Sequence, residues 1–131
     1  MTKGIITIAT PDYLQSAKLL ALSAKKFSSL PTTLITTEPL EQDAPEFDVV
    51  IVAPGDLYNA FTVGLLSTPY TKTAFIYADS LVLSDITPCF DALNKLDIVT
   101  PVSFDFKGHY TPSTLYNDRK IISRNNLPDV W

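Results

Sequence analysis

Residues 4–9 read Gly4-Ile5-Ile6-Thr7-Ile8-Ala9, a continuous run of small, apolar and β-branched side chains. Such a run is typical of a strand that is buried on both faces, as in a parallel sheet. The next residues, Thr10-Pro11-Asp12, place a capping side chain, a proline and an acid where a helix begins. Apolar residues at helical spacing then predict a helix that reaches about Phe27.

Strand and helix patterns alternate through the rest of the chain. Further strands are predicted at Thr32–Thr36, Asp48–Val52, Thr73–Ala78 and Asp97–Val102, and helices at 55–66, after Thr87-Pro88 with Phe90 and Leu93 inward, and around 118–124. The acidic residues 38–47 and the polar residues 103–116 predict loops. A β-α-β order of this kind implies parallel strands with right-handed crossovers. The sequence therefore predicts one minimal α/β domain over residues 1–131, Rossmann-like, with a mainly parallel sheet, helices on both faces and a ligand site at the carboxyl ends of the strands.

Composition excludes several classes of protein. The chain has 131 residues, of which 46% are hydrophobic, enough to fold as one domain without cross-links. Its single cysteine, Cys89, excludes an internal disulfide, and no apolar run is long enough for a membrane span. The start of the chain has no secretory signal pattern, so the expected location is the cytoplasm. A net charge of −4 argues against a nucleic acid polymer as partner, while the basic residues after 106 are either a solvated surface or a contact for a small anion.

Two strand ends are predicted to meet at the ligand edge, Ala9-Thr10 and Tyr77-Ala78-Asp79. Asp79 has two interpretations: a turn or cap aspartate, or an oxygen ligand for a hard cation whose remaining ligands come from a diphosphate. Thr10 is a helix cap or a ligand-facing backbone position, and the two roles are compatible. Tyr13 either packs as a partly buried aromatic or stacks on a base.

Residues 67–86 read STPYTKTAFIYADSLVLSDI. This segment resembles the donor-binding segment of GT-A-type glycosyltransferases, especially the glycogenin-like family and its small bacterial and phage relatives. Those proteins typically read S-P-Y-x-K-T, a hydrophobic residue, and then D-A-D-[ST]-L-V. The start of the chain, Ile6–Thr10 followed by Tyr13, is similar to the first strand and nucleotide-binding turn of that family. The resemblance covers roughly residues 4–102.

The resemblance implies a donor site for a nucleotide-diphosphate sugar, with UDP favoured, and Mn²⁺ or Mg²⁺ as cofactor. Asp79 matches the second Asp of the family's D-x-D motif, which implies that it binds the metal and is the catalytic residue. Roles in cofactor binding are implied for Ala9, Thr10, Tyr13, Tyr77, Ala78 and Asp79. Tyr77 stands where the family has the first Asp, and a phenol with a pKa of about 10 is a poor ligand for a hard cation at neutral pH. Metal affinity is therefore expected to be lower than in the family.

The end of the sequence also departs from the family pattern. Family members continue into a region that binds the acceptor and supplies a late metal-binding histidine, so the acceptor region is expected to be missing or reduced here. His109 lies too early to match that histidine and is interpreted as a surface group. Asp105 is either a loop aspartate or a second residue at the metal or the acceptor hydroxyl. The apolar ending Val130-Trp131 favours a homo-oligomer.

Three functions remain open at this point. The leading hypothesis is transfer of a sugar from a nucleotide-diphosphate donor to an unknown acceptor, with a divalent cation. The second is a nucleotide-sugar-binding module with little catalysis, which the replacement at Tyr77 favours. The third is a receiver-like signalling domain phosphorylated at Asp79, which would need an acidic pair after the first strand, where Asp12 stands alone.

Overall fold

A computed structural model of the chain describes residues 2–99. Its elements belong to one compact unit that ends at Asp97. The strands are β1 (Lys3–Ala9), β2 (Thr32–Thr36), β3 (Val49–Val52) and β4 (Lys72–Phe75), and the α-helices are α1 (Leu14–Ser28) and α2 (Leu57–Leu66). Two 3₁₀ segments, Pro11–Tyr13 and Thr87–Asn94, complete the regular structure of residues 2–99.

The sheet is parallel throughout and has the order β3-β2-β1-β4. β1 lies between β2 and β4, and Ile5 is opposite Thr32 on one side and Ala74 on the other. This central position explains the uninterrupted apolar run, because both faces and both edges of β1 are covered. The predicted Rossmann-like α/β fold is therefore confirmed in the part of the chain that the structure describes, while the extent of the domain over residues 1–131 stays a prediction.

Helices cover both faces of the sheet. On one face, α1 packs on Ile5 and Ala9 of β1, and the segment after β4 joins it through Val82 and Phe90. On the other face, Ala60 of α2 packs with Ile35 of β2. The side chains of β1 alternate between these faces, as the pleat of a strand requires. The predicted inward side chains of the last 3₁₀ helix are confirmed, since Phe90 is buried and Leu93 packs against the same cluster.

Three predictions about the elements are wrong. The fourth strand ends at Phe75 rather than Ala78: the Ile76 N–H makes one more hydrogen bond to the Ile6 carbonyl, at 3.1 Å, and a turn from Tyr77 to Ser80 follows. Residues 97–99 lie in no strand, although a strand was expected from Asp97 to Val102. The first helix begins with a 3₁₀ turn, and the Thr10 side chain makes no capping hydrogen bond.

The remaining predicted elements, residues 100–102 of the last strand, the loop at 103–116 and the helix around 118–124, lie outside the described residues. No helix in residues 2–99 has the length and apolar character needed to cross a bilayer.

Thr7 carries a hydroxyl that has no hydrogen-bond partner within residues 2–99, although the side chain is only 1% exposed. A buried hydroxyl without a partner costs about 1–3 kcal/mol in lost hydration. We therefore expect Thr7→Val to raise the free energy of unfolding by about 1 kcal/mol in urea titrations.

Thr33→Val is the matched control for this substitution. The Thr33 hydroxyl shares a 2.8 Å hydrogen bond with the Tyr70 hydroxyl, so its removal should destabilise the fold. A Thr7→Val variant that loses as much stability as Thr33→Val would contradict the assignment of Thr7 as an unsatisfied group.

Candidate functional site at the carboxyl edge of the sheet

The segments that follow the strands form one edge of the sheet, which we call the carboxyl edge. It consists of the residues that directly follow each strand: 10–13 after β1, 37–40 after β2, 53–56 after β3 and 76–80 after β4. From β1 the chain moves outward to β2 and β3 on one side and then crosses to β4 on the other side. In open α/β sheets a crevice forms outside the carboxyl ends of the strands where the order reverses in this way, and ligands bind there. The reversal here falls between β1 and β4.

Both predicted strand ends lie at this reversal. Ala9 is the last residue of β1, and Ala78 follows β4; both alanines are buried in the same cluster on the α1 face. Thr10 and Asp79 are the next residues along the chain, so the structure brings the two predicted segments together. Ala9 and Ala78 are only 3% and 7% exposed, so the accessible groups of the two segments belong to their neighbours Thr10, Tyr77 and Asp79.

Asp79 occupies a turn and is exposed to solvent. The turn is closed by the hydrogen bond between Ser80 and Tyr77, and Asp79 is one of its two central residues. A turn aspartate is thus a sufficient structural explanation for this residue. The carboxylate is nevertheless on the surface at the point where the strand order reverses, which is where a cation ligand would have to be.

The charge of the carboxyl edge is negative in the described residues. Acidic side chains follow every strand at this edge, and its four segments contain no Lys or Arg; the first acids are Asp12, Glu38, Asp56 and Asp79. Among the cations of residues 2–99, Lys18 of α1 pairs with Glu46 at 3.7 Å, Lys3 and Lys72 begin β1 and β4, and Lys25 and Lys26 are in the last turn of α1. An anionic diphosphate would therefore be repelled by this edge unless a cation lay between them.

A divalent cation would have few protein ligands here. Within residues 2–99 no group of three or more His, Cys, Asp or Glu side chains is placed to hold a metal ion. Asp56 is held by α2, since its Oδ1 accepts a 2.8 Å hydrogen bond from the Asn59 N–H and caps the helix. Asp79 therefore fits a cation only as one shared ligand, with phosphate oxygens and water completing the coordination, which is how Mg²⁺ commonly binds. Asp105, the second predicted metal residue, lies outside the described residues, as does His109.

The aromatic residues of the edge are exposed. Tyr13 is 54% exposed, so it is partly covered and its ring is accessible for stacking; both interpretations of Tyr13 stay open. Tyr77 is 70% exposed and lies at the start of the Asp79 turn. Thr10 is half-buried, and its carbonyl accepts a 2.9 Å hydrogen bond from the Tyr13 N–H, which closes the turn that presents Tyr13.

Two residues of the quoted motif have structural roles. Tyr70 packs over Gly4 and bonds to Thr33, and burial raises the pKa of its phenol above the ordinary value. Lys72 is buried, and its ammonium group donates to the Phe90 carbonyl at 3.4 Å and to the Asn94 side-chain oxygen. The contacts of Lys72 attach the last 3₁₀ helix to the start of β4, and Tyr70 lies over Gly4 near the start of β1. Both residues are therefore at the edge opposite the carboxyl edge.

Asp85 acts as a turn residue. Its carboxylate accepts a 2.9 Å hydrogen bond from the Thr87 N–H, and the hydrogen bonds from Thr87 lower the pKa of this exposed carboxyl.

Sequence analysis missed Tyr58 and Phe61 of α2. Phe61 contacts the ring of Phe75 in β4, and Tyr58, one helical turn earlier, is 85% exposed. Because α2 follows β3, its first turn lies next to the carboxyl edge. The signal was the spacing of two aromatic residues by three positions at the start of a helix, which places them on neighbouring parts of its surface.

Comparison with known proteins adds no identification. No protein-family model matches the chain, and no curated protein sequence matches it significantly. The resemblance to glycosyltransferases therefore rests on the residues of the motif and has to be tested by experiment.

Proposed function

We propose that this chain binds a nucleotide-diphosphate sugar, with UDP as the favoured nucleotide, and transfers the sugar with the help of Mn²⁺ or Mg²⁺. The observation that carries the proposal is the reversal of strand order between β1 and β4, which brings Thr10, Ala78 and Asp79 to the usual ligand position of an α/β sheet. The motif at residues 67–86 supports a nucleotide sugar as the ligand, and the fold supports a binding site at the carboxyl ends of β1 and β4.

The charge distribution supports a requirement for metal. An edge with acids after each strand and no Lys or Arg in residues 10–13, 37–40, 53–56 and 76–80 does not attract a free diphosphate. A divalent cation between Asp79 and the diphosphate would reverse that repulsion and neutralise the charge that develops on the leaving group. Asp79 would hold the cation, and the backbone of Thr10 and the ring of Tyr13 would contact the nucleoside. We therefore expect UDP binding to depend strongly on metal.

The second candidate function is binding of a nucleotide sugar with little catalysis. It is favoured by one observation: Asp79 is not part of any group of three or more metal-binding side chains in residues 2–99. Tyr77 removes one carboxylate from the D-x-D pattern, so the site lacks a formal charge that would stabilise the cation. Under this alternative the chain would bind the donor and leave it intact.

Phosphorylation of Asp79 is not proposed. In flavodoxin-like sheets, to which receivers belong, the first strand lies between the second and the third. Here β1 lies between β2 and β4, and Asp12 is the only acid in residues 10–13.

Calorimetry tests the proposal directly. UDP, UDP-sugars, ADP and GDP are titrated into the full chain with Mn²⁺ and with EDTA. We expect Mn²⁺-dependent binding of the uridine nucleotides; no binding of any nucleotide under either condition would refute both candidates. Slow hydrolysis of a bound UDP-sugar, in which water takes the sugar and UDP leaves, is followed by chromatography over hours and separates them: turnover supports the transferase, and an intact donor supports the binding module.

A further inference from the structure

The ring of Tyr77 is supported from one side by a chain of aromatic contacts. Phe75 and Tyr77 pack edge to face with centroids 5.1 Å apart and an interplanar angle of 76°. Phe75 in turn packs edge to face with Phe61 of α2, at 5.0 Å and 88°. Edge-to-face contacts are the favoured geometry for aromatic pairs, so each ring restricts the orientation of the next. Tyr77 is thereby connected to α2.

The same ring is open on its other side. Tyr77 is 70% exposed, whereas its neighbour Ala78 is 7% exposed and fixes the backbone against the α1 face of the sheet. An exposed aromatic ring with a supported orientation loses little freedom when a ligand binds against it. Tyr77 also begins the turn that presents Asp79, at the reversal of strand order between β1 and β4.

The side chain of Tyr77 is better suited to stacking against a ring of a ligand than to binding a metal ion. A neutral phenol has no formal charge with which to hold Mg²⁺ or Mn²⁺. Its face, however, stacks on flat or apolar ring faces, as aromatic side chains do on nucleobases. The two ends of the turn thus offer different groups, a ring at Tyr77 and a carboxylate at Asp79.

We propose that Tyr77 is a stacking residue for a ring of the nucleotide sugar, either the base or the sugar, in place of the carboxylate that would contact the metal. This inference rests on the proposed function and extends it, because it assigns ring recognition and metal recognition to separate residues of one turn. It predicts that affinity for the ligand follows the ring at position 77 and not the charge there.

The test is calorimetry on the full chain with UDP and with UDP-glucose, both in saturating Mn²⁺. Tyr77→Phe keeps the ring and should lose at most about twofold in affinity, whereas Tyr77→Leu should lose roughly tenfold, the effect of removing one stacking ring. Tyr77→Asp restores a carboxylate and should bind no better than Tyr77→Leu. Phe27→Leu is the control. It removes a ring that is 40% exposed in the last turn of α1, away from the carboxyl edge, and should leave the affinity unchanged.

The two ligands distinguish the ring that stacks. If the base stacks on Tyr77, the loss in Tyr77→Leu is the same for UDP and UDP-glucose; if the sugar stacks, the loss appears with UDP-glucose alone. Either pattern supports the inference. If the wild type binds and Tyr77→Leu binds with the same affinity, or Tyr77→Asp binds more tightly than the wild type, the inference is overturned and the proposed function stands. Failure of the wild type to bind either nucleotide overturns both.

Discussion

Gly4→Ala should destabilise the protein by about 1–3 kcal/mol, the usual cost of forcing extra volume into a packed site. A Cβ atom at Gly4 would lie 2.5 Å from three ring atoms of Tyr70, closer than any real contact of this kind. The ring cannot move aside freely, since the Tyr70 hydroxyl is hydrogen-bonded to Thr33 at 2.8 Å. Moving it would expose the ring and break that bond. Urea unfolding measures the effect.

A double-mutant cycle with Tyr70→Leu tests the cause. The cost of Gly4→Ala should fall to a few tenths of a kcal/mol when the ring is absent, because interaction energies between contacting residues appear as non-additivity. Equal costs in the two backgrounds would show that Gly4 is required for a reason other than Tyr70.

Asp79→Asn should remove the increase in UDP affinity that Mn²⁺ provides. The amide keeps the size and turn-forming ability of the side chain but loses the charge that binds a hard cation. We expect at least about a tenfold loss of affinity in Mn²⁺, the lower end of the range for changes around metal sites, and no change in EDTA. Calorimetry on the full chain gives both values.

Asp91→Asn is the matched control for the charge. Asp91 is an exposed carboxylate that pairs with Lys3 at 3.5 Å. Lys3 is the first residue of β1, so this ion pair lies at the opposite edge of the sheet. Its removal should leave nucleotide affinity in Mn²⁺ unchanged. Equal losses in both variants would mean that overall charge, and not a site at Asp79, controls binding.

The fold was predictable because its signals are local. The apolar run of β1 indicated a strand buried on both faces, and the helix between β1 and β2 required a parallel pair, which the register of Ile5 with Thr32 confirms. The end of β4 was predicted wrongly because the apolar pattern continues to Ala78, whereas the chain already turns at Tyr77. A turn overrides an apolar run when its hydrogen bond replaces those of the strand.

The candidate site was predictable only in part. The two strand ends could be placed together from the α/β rule, and Ala9 and Ala78 do share a cluster. The aromatic contacts of Phe61 with Phe75 and the burial of Lys72 could not, because they join residues from elements that meet only after folding. Stacking and packing both stayed open for Tyr13, because its exposure depends on the 3₁₀ turn that precedes α1.

Paramagnetic broadening by Mn²⁺ tests most directly the claim that the ligand site lies between the ends of β1 and β4. Amide signals of the isotope-labelled chain are recorded with UDP and substoichiometric Mn²⁺, then with Mg²⁺ as a diamagnetic reference. We expect selective loss of the amide signals of Thr10, Tyr13 and residues 77–80, whereas those of Lys3, Thr71 and Asp91, at the opposite edge, should be unaffected. Broadening centred on the acidic residues 38–47, or at the opposite edge, would contradict it.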